Sequence, residues 1–265
     1  MKLNQDGISE EDKQLAINLR NYLVNGNRVI GDPGEGLKQT LKSLEKQRDN
    51  ADTGIMDWGI DNAELIGQIA KTKAGIKGEE DLCEYLAKLI KYDDKLDGLI
   101  AFASLSYEQD SNMLDYIPDT DTLLVYGNNL LVIDAKNLKT KAGKTLFLVD
   151  NIIFDEDEKE ILEVHPSTHI WKTALGSKNI PIESIDGYVC IVNNTYTPIE
   201  RDENWYYSHT KPIHISELKN ELEKWVHNKD NTASLKLLVE IAKAQIKKEK
   251  EISFDVDAIK RKFGI

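Results

Sequence analysis

The sequence predicts an α/β protein in which a mixed β-sheet is flanked by helices, and three observations support this class. Amphipathic helical patterns occupy residues 9–70, helix and strand patterns alternate up to about residue 200, and two further helical patterns follow. Such alternation favours one sheet with helices packed on it. We therefore expect a helical N-terminal module at 1–72, an α/β core at 73–203, and C-terminal helices at 204–265 that pack on the core.

Three helices are predicted in the N-terminal module. Ser9 and Asp12 have the spacing of a capping box, and leucines at helical spacing follow them. A second amphipathic pattern begins near Leu37, and a third, shorter one covers residues 61–73. Between the first two lies "GDPGEG", residues 31–36. We interpret it as a turn, because its two acids would repel phosphate and no convincing strand precedes it.

The core is predicted to contain a helix, a strand, two hairpins, a second helix and a further buried strand, all in one mixed sheet. Two helices are predicted to close the chain. In the same order, the segments are 75–92, 97–107, 120–136, 144–164, 165–179, 186–193, 214–228 and 231–251.

Composition excludes some classes of function and suggests a location. The formal net charge of −12 argues against a protein that coats duplex nucleic acid, which would need to neutralise phosphates. No apolar run approaches the ~18–20 residues that span a bilayer, and the N-terminus lacks a signal-peptide pattern. Cys83 and Cys190 lie far apart within apolar patterns, as expected of reduced core thiols. We expect a cytoplasmic protein without membrane contact.

The first hairpin brings charged residues together at its open end. Side chains alternate along a strand, so Asp134 and Lys136 share one face and Ala135 points to the other. A turn at residues 127–129 would place Asp121, at the start of the first strand, beside Asp134. Two carboxylates and an ammonium group should therefore converge at one edge of the sheet.

Two interpretations of this cluster remain open from the residues alone. Asp and Lys at strand ends often form ordinary surface salt bridges. Alternatively, paired carboxylates attract a hard cation such as Mg²⁺, with Lys136 beside the attacking water, which is chemistry suited to phosphodiester hydrolysis. The small Ala135 would then leave its backbone carbonyl free to act as a further metal ligand.

The pattern "PDTDTLLVYGNNLLVIDAKN" resembles the PD-(D/E)xK superfamily of nucleases and, more closely, the nuclease-related (NERD) domain. "GIKGE", residues 75–79, resembles the start of the family's first helix, and Asp121 and "DAKN", residues 134–137, resemble its two strand motifs. The resemblance covers about residues 74–200. It implies a restriction-endonuclease-like fold and a nuclease that hydrolyses DNA with Mg²⁺ or Mn²⁺.

The resemblance also implies roles for individual residues. Glu79, Asp121 and Asp134 would be the acidic metal ligands, and Lys136 would be the catalytic lysine. Asn137, Asp119 and His169 are further candidates for contacts to the substrate or to the metal ligands. The chain departs from the family pattern at three points: Asp134 replaces the usual Glu, Asp119 competes with Asp121, and His169 replaces a Gln.

Other functions remain open at this stage. The fold could carry an idle site and serve as a binding or scaffold protein through its helical ends, or the substrate could be RNA rather than DNA. A homodimer, or a protein partner bound through those ends, is also compatible with the sequence.

Overall fold

The structure, a computed structural model, describes residues 2–4, 8–52, 62–106, 119–138, 145–149, 152–164, 168–193, 199–201 and 210–245. It is an α/β protein with a mixed six-stranded sheet. The elements in chain order are β1 (Lys2–Asn4), α1 (Lys13–Val24), β2 (Val29–Ile30), α2 (Glu35–Asp52), α3 (Asn62–Tyr92), β3 (Ile100–Leu105), β4 (Thr120–Tyr126), β5 (Asn129–Lys136), β6 (Leu146–Val149), β7 (Ile152–Phe154), β8 (Glu160–Glu163), α4 (Thr168–Ser177), β9 (Ser184–Ile191), β10 (Ile199–Arg201), β11 (Thr210–His214), α5 (Ile215–Val226), β12 (Thr232–Ser234) and α6 (Leu235–Lys243).

The central sheet has the strand order β11-β9-β5-β4-β3-β2. Strands β11, β9 and β5 are parallel, β5 pairs with β4 and β4 with β3 in antiparallel fashion, and β2 is parallel to β3. The sheet is therefore mixed, as the sequence predicts, and β4 and β5 lie at its centre.

Each face of the central sheet buries its own hydrophobic layer. One layer joins the sheet to α1, α4 and α6 through residues such as Leu123, Val132 and Trp171. The other joins it to α3 and α5 and includes Leu86 and Ala135. Alternate residues of β4 and β5 enter opposite layers, so both strands are buried on both faces, which explains their almost uninterrupted apolar sequences.

The second hairpin lies outside the central sheet, so the expectation of a single sheet is wrong. Strands β6, β7 and β8 join β10 in a separate four-stranded sheet with the order β10-β6-β7-β8. Its apolar side packs against Val189 and Ile191 of β9. Hydrophobic patterning marks a strand but does not specify which sheet accepts it.

Helix α3 is one continuous helix of 31 residues, so the prediction of two helices across this segment is wrong. The predicted domain boundary at 72/73 falls inside it. Glycines at 75 and 78 lower intrinsic helix propensity and suggested the break. Their lack of a side chain serves packing, because a Cβ atom at Gly75 would lie 2.7 Å from Leu37 Cδ1 and one at Gly78 would lie 3.1 Å from Asn137 Cβ.

The central sheet also extends beyond the core predicted at 73–203, since β2 and β11 belong to it. The two closing helices are present as α5 and α6, although α6 ends at Lys243, earlier than predicted. Both cysteines are free and buried, which confirms the prediction of core thiols. Of the described helices, none is long and apolar enough to cross a membrane. The predicted helix start at Pro166 and residues 246–265 lie outside the described residues.

Candidate functional site

The β4–β5 hairpin turns through Gly127 and Asn128, because Tyr126 pairs directly with Asn129. Gly127 has a φ of 61°, in the region that favours glycine, as two-residue hairpin turns require. The same register pairs Thr122 with Ile133. Continuing this register by one residue places Asp121 opposite Asp134, as the sequence predicts. The turn is one residue shorter than expected.

Asp134 and Lys136 share one face of β5. Lys136 Nζ lies 2.5 Å from Asp134 Oδ1, and the two side chains are 26% and 15% exposed, respectively. Ala135 points to the opposite face, where its side chain belongs to the layer beneath α3. The predicted alternation is confirmed, and the ion pair is more enclosed than an ordinary surface salt bridge.

Asp121 is tied directly to the adjacent strand. Its Oδ2 atom accepts a hydrogen bond of 2.7 Å from the backbone amide of Ala135. The preceding residue is also held, because Trp171 Nε1 donates to Thr120 Oγ1 at 2.9 Å in the buried interior. Burial, together with the negative charges of Asp134 and Glu79, raises the pKa of Asp121 well above its ordinary value.

Glu79 reaches the site from α3 and is buried at 5% exposure. Its Oε2 atom accepts a hydrogen bond of 2.9 Å from the amide of Gly34. Burial raises the pKa of Glu79 to about 7, and the charges of Asp134 and Asp119 act in the same direction against the opposing effects of Gly34 and Lys136. Glu79 therefore belongs electrostatically to the acids of the hairpin.

Lys136 lies among carboxylates that stabilise its charge. Burial alone would lower its pKa, but the charges of Asp134 and Asp121 outweigh that effect and hold the pKa of Lys136 above its ordinary value. An ammonium group with a raised pKa is suited to stabilising negative charge and orienting a polar group. It is poorly suited to removing a proton from water near neutral pH.

Asn137 connects α3 to the end of β5. Its Nδ2 atom donates to the carbonyl oxygen of Ala74 at 3.0 Å, and Gly78 packs against its side chain. Asn137 therefore joins the helix that carries Glu79 to the end of the strand that carries Asp134.

A cleft of about 660 Å³ opens above these residues. All four predicted catalytic residues, Glu79, Asp121, Asp134 and Lys136, line it, as do Ala135, Asn137 and Asp119. Asp119 is exposed just before β4, whereas Asp121 makes the hydrogen bond to Ala135. His169 is exposed in α4 and is not among the described residues that line the cleft.

Two contributors to the site were not predicted from the sequence. The turn at 31–36 supplies the Gly34 amide that binds Glu79. Ser104 of β3 lines the cleft with a φ of 51°, and its Oγ atom accepts a hydrogen bond from the amide of Glu35 at 3.1 Å. A non-glycine residue with positive φ is uncommon and costs energy, and such residues often occur near functional sites.

Lys71 was also missed, although it lines the cleft and lies a little over two helical turns before Glu79. The relationship was hidden because Lys71 and Glu79 were assigned to different helices. In the continuous helix α3, residues eight positions apart lie about 80° apart around the helix axis, so both can border one cleft.

The comparisons with known proteins identify no relative. No family model matches the chain. No curated protein and no solved structure matches it either. The resemblance in the hairpin motifs therefore remains a hypothesis about this protein.

The cleft is lined by several carboxylate groups. Carboxylate oxygens are the ligands that Mg²⁺ prefers, and the mutual repulsion of Asp121, Asp134 and Glu79 is the charge excess that a divalent cation would relieve. Within the described part of the chain, no group of three or more His, Cys, Asp or Glu residues is arranged to hold a metal. Mg²⁺ commonly takes only one or two protein carboxylates and keeps several waters, so Asp121 and Asp134 fit such an ion.

Proposed function

We propose that this protein is a metal-dependent nuclease that hydrolyses DNA phosphodiester bonds on a restriction-endonuclease-like core. The observation that supports this most strongly is the placement of Asp121 opposite Asp134, with Lys136 paired to Asp134 on the same face. The similarity of these residues to the nuclease-related domain adds support, and so does the open cleft above them.

In the proposed reaction, Asp121 and Asp134 would hold Mg²⁺ or Mn²⁺, and the carbonyl of Ala135 and the carboxylate of Glu79 would be further ligands. When bound, the cation would supply Lewis acidity to the phosphate and to the attacking water. Lys136, held as an ammonium group by its neighbours, orients the attacking water and stabilises the negative charge that develops on the phosphate. Asn137 keeps α3 in place through Ala74.

The test is cleavage of labelled DNA by the wild-type chain and by Lys136→Ala, with Mg²⁺, Mn²⁺ or EDTA. We expect Lys136→Ala to lose about 10²-fold or more in rate while its circular dichroism spectrum is unchanged. The matched control is Lys88→Ala, since Lys88 forms an exposed ion pair with Glu84 elsewhere on α3. A Lys136→Ala variant that cleaves at the wild-type rate would refute the proposal.

RNA is the alternative substrate, and it requires the same chemistry at the phosphate. Parallel assays on DNA and RNA of identical sequence separate the two. Faster cleavage of RNA than of DNA with each metal, and with the same dependence on Lys136, would identify the protein as a ribonuclease.

A second candidate function is an idle site in a scaffold or binding protein. The absence of a three-ligand acidic group among the described residues favours it, as does the net charge of −12. In that case the helical ends would bind a protein partner or a second copy of the chain. Calorimetric titration of Mn²⁺ into the wild-type chain and into Asp134→Asn discriminates between the two functions. If the site is idle, the two chains should show the same Mn²⁺ binding.

A further inference from the structure

Part of the cleft lining is an apolar wall. The wall is formed by Leu37 of α2, Leu138 after β5, and Ile161 and Leu162 of β8. Ile161 is 39% exposed, on the outer strand of the small sheet. Its position beside a hydrophilic catalytic cluster suggests contact with a partly apolar ligand.

The charged residues around the cleft offer few contacts to a phosphate backbone. Among the described residues that line it, five are acidic and two are lysines, Lys71 and Lys136. Lys136 is paired with Asp134. Lys71 is exposed and forms no ion pair with any described residue. A duplex-binding surface normally neutralises many phosphates, whereas of the two lysines described in this cleft only Lys71 is without an ion pair to another described residue.

The size of the cleft points in the same direction. A volume of about 660 Å³ lies within the range of small-molecule sites and suits one or two nucleotides rather than the width of a duplex. The faces of nucleobases are stacked and inaccessible inside a duplex, but they are free to pack against protein in a single strand.

We propose that the cleft binds a single-stranded segment of the DNA, with a base against the apolar wall and a phosphate at Lys71. This inference rests on the proposed nuclease function of the acidic end of the cleft. Lys71 and Ile161 are positioning residues in it. They hold the strand so that the neighbouring phosphodiester reaches Asp121 and Asp134.

The test measures binding of a short fluorescent oligothymidylate by anisotropy, in Ca²⁺ and again in EDTA, across a range of salt concentrations. We expect tighter binding to the single strand than to a hairpin duplex. Lys71→Ala should weaken binding several-fold and reduce the slope of log K against log salt by about 0.7, the contribution of one phosphate on a single strand. Ile161→Thr should weaken binding about fivefold without changing that slope, because only apolar contact is lost.

Two control variants match these substitutions. Lys73→Ala removes a lysine of α3 that pairs with Glu45, and Ile66→Thr replaces an isoleucine of α3 that is 59% exposed. Neither residue lines the cleft. Both variants should bind like the wild-type chain.

The outcomes separate this inference from the nuclease proposal. Equal or tighter binding of the duplex, or wild-type affinity in Lys71→Ala and Ile161→Thr, would overturn the single-strand site even if cleavage is metal-dependent. Competition by free thymidine monophosphate as strong as by the oligonucleotide would overturn it in favour of a mononucleotide site. Binding that depends on both residues, without any cleavage, would support the site and refute the nuclease.

Discussion

The carboxylate of Asp121 accepts a hydrogen bond from the amide of Ala135 at 2.7 Å, which joins the first strand of the hairpin to the motif that ends the second. An acid held in this way has two roles. It satisfies a backbone donor, and it carries charge into a site where burial and other carboxylates oppose ionisation.

Substitutions at Asp121 should separate these roles. Asp121→Asn keeps an oxygen for the Ala135 amide and removes the unfavourable charge, so we expect it to be more stable than wild type near neutral pH in EDTA. Asp121→Ala leaves the amide without its acceptor and should be about 1 kcal/mol less stable than Asp121→Asn. Urea denaturation measures both, and equal stability of the two variants would contradict the structural role of the hydrogen bond.

The raised pKa of Glu79 predicts how stability depends on pH. This pKa is about 7 in the folded chain, against 4.5 for an ordinary glutamate. Between these values the folded state keeps a proton that the unfolded state has released, so the free energy of unfolding falls as pH rises through this window. The contribution lost is about 3 kcal/mol.

Glu79→Gln should remove this contribution to the pH dependence. In EDTA it should match wild type below the window and be more stable than wild type above it, as measured by urea denaturation across the range. Glu80→Gln is the matched control, because its side chain is exposed and paired with Lys38. A wild-type pH profile in Glu79→Gln would show that Glu79 ionises without penalty.

Cation binding should stabilise the folded chain. A metal present at about 100 times its dissociation constant adds about 2.7 kcal/mol to the free energy of unfolding. We expect Mn²⁺ to raise the melting temperature of wild type and to have little effect on Asp134→Asn. Asp94→Asn, which removes an exposed acid outside the cleft, should respond like wild type. An equal response in all three chains would place the binding elsewhere.

The tight turn at Gly127 should be critical to the hairpin. A Cβ atom there would lie 2.0 Å from the carbonyl oxygen of Asp230, and the backbone has positive φ. Gly127→Ala should destabilise the protein by about 2 kcal/mol or more, through steric overlap added to backbone strain. Since this turn sets the register of Asp121 and Asp134, the proposed cleavage of DNA should slow as well.

Substitutions at two other glycines separate the effect of steric overlap from that of backbone strain. Gly26 has a φ of 85° but open space around it, so Gly26→Ala should cost only the backbone strain, about 1 kcal/mol. Gly67 lies in α3 with open space, so Gly67→Ala should stabilise the protein by about 0.5–1 kcal/mol. Thermal and urea denaturation provide the three values. If Gly127→Ala and Gly26→Ala lower the free energy of unfolding equally, the loop at Asp230 moves to make room for the added methyl group.

The resemblance and the local patterns could predict most of the candidate site because its parts lie close in sequence. Asp121, Asp134 and Lys136 belong to one hairpin, whose alternation and turn place them together. Lys71 and Ile161 could not be found in this way. Placing Lys71 at the cleft requires α3 to continue through Gly75 and Gly78. Placing Ile161 there requires β8 to join the smaller sheet.

The sequence by itself determined the α/β class, the β4–β5 hairpin and the shared face of Asp134 and Lys136, because side-chain period and turn geometry act over a few residues. Only the tertiary structure decided that α3 is continuous, that β6 to β8 form a second sheet, and that the Gly34 amide meets Glu79. These features depend on long-range packing: Gly75 is needed where α3 meets Leu37 of α2 and Gly78 where it meets Asn137 after β5, and no local pattern encodes those contacts.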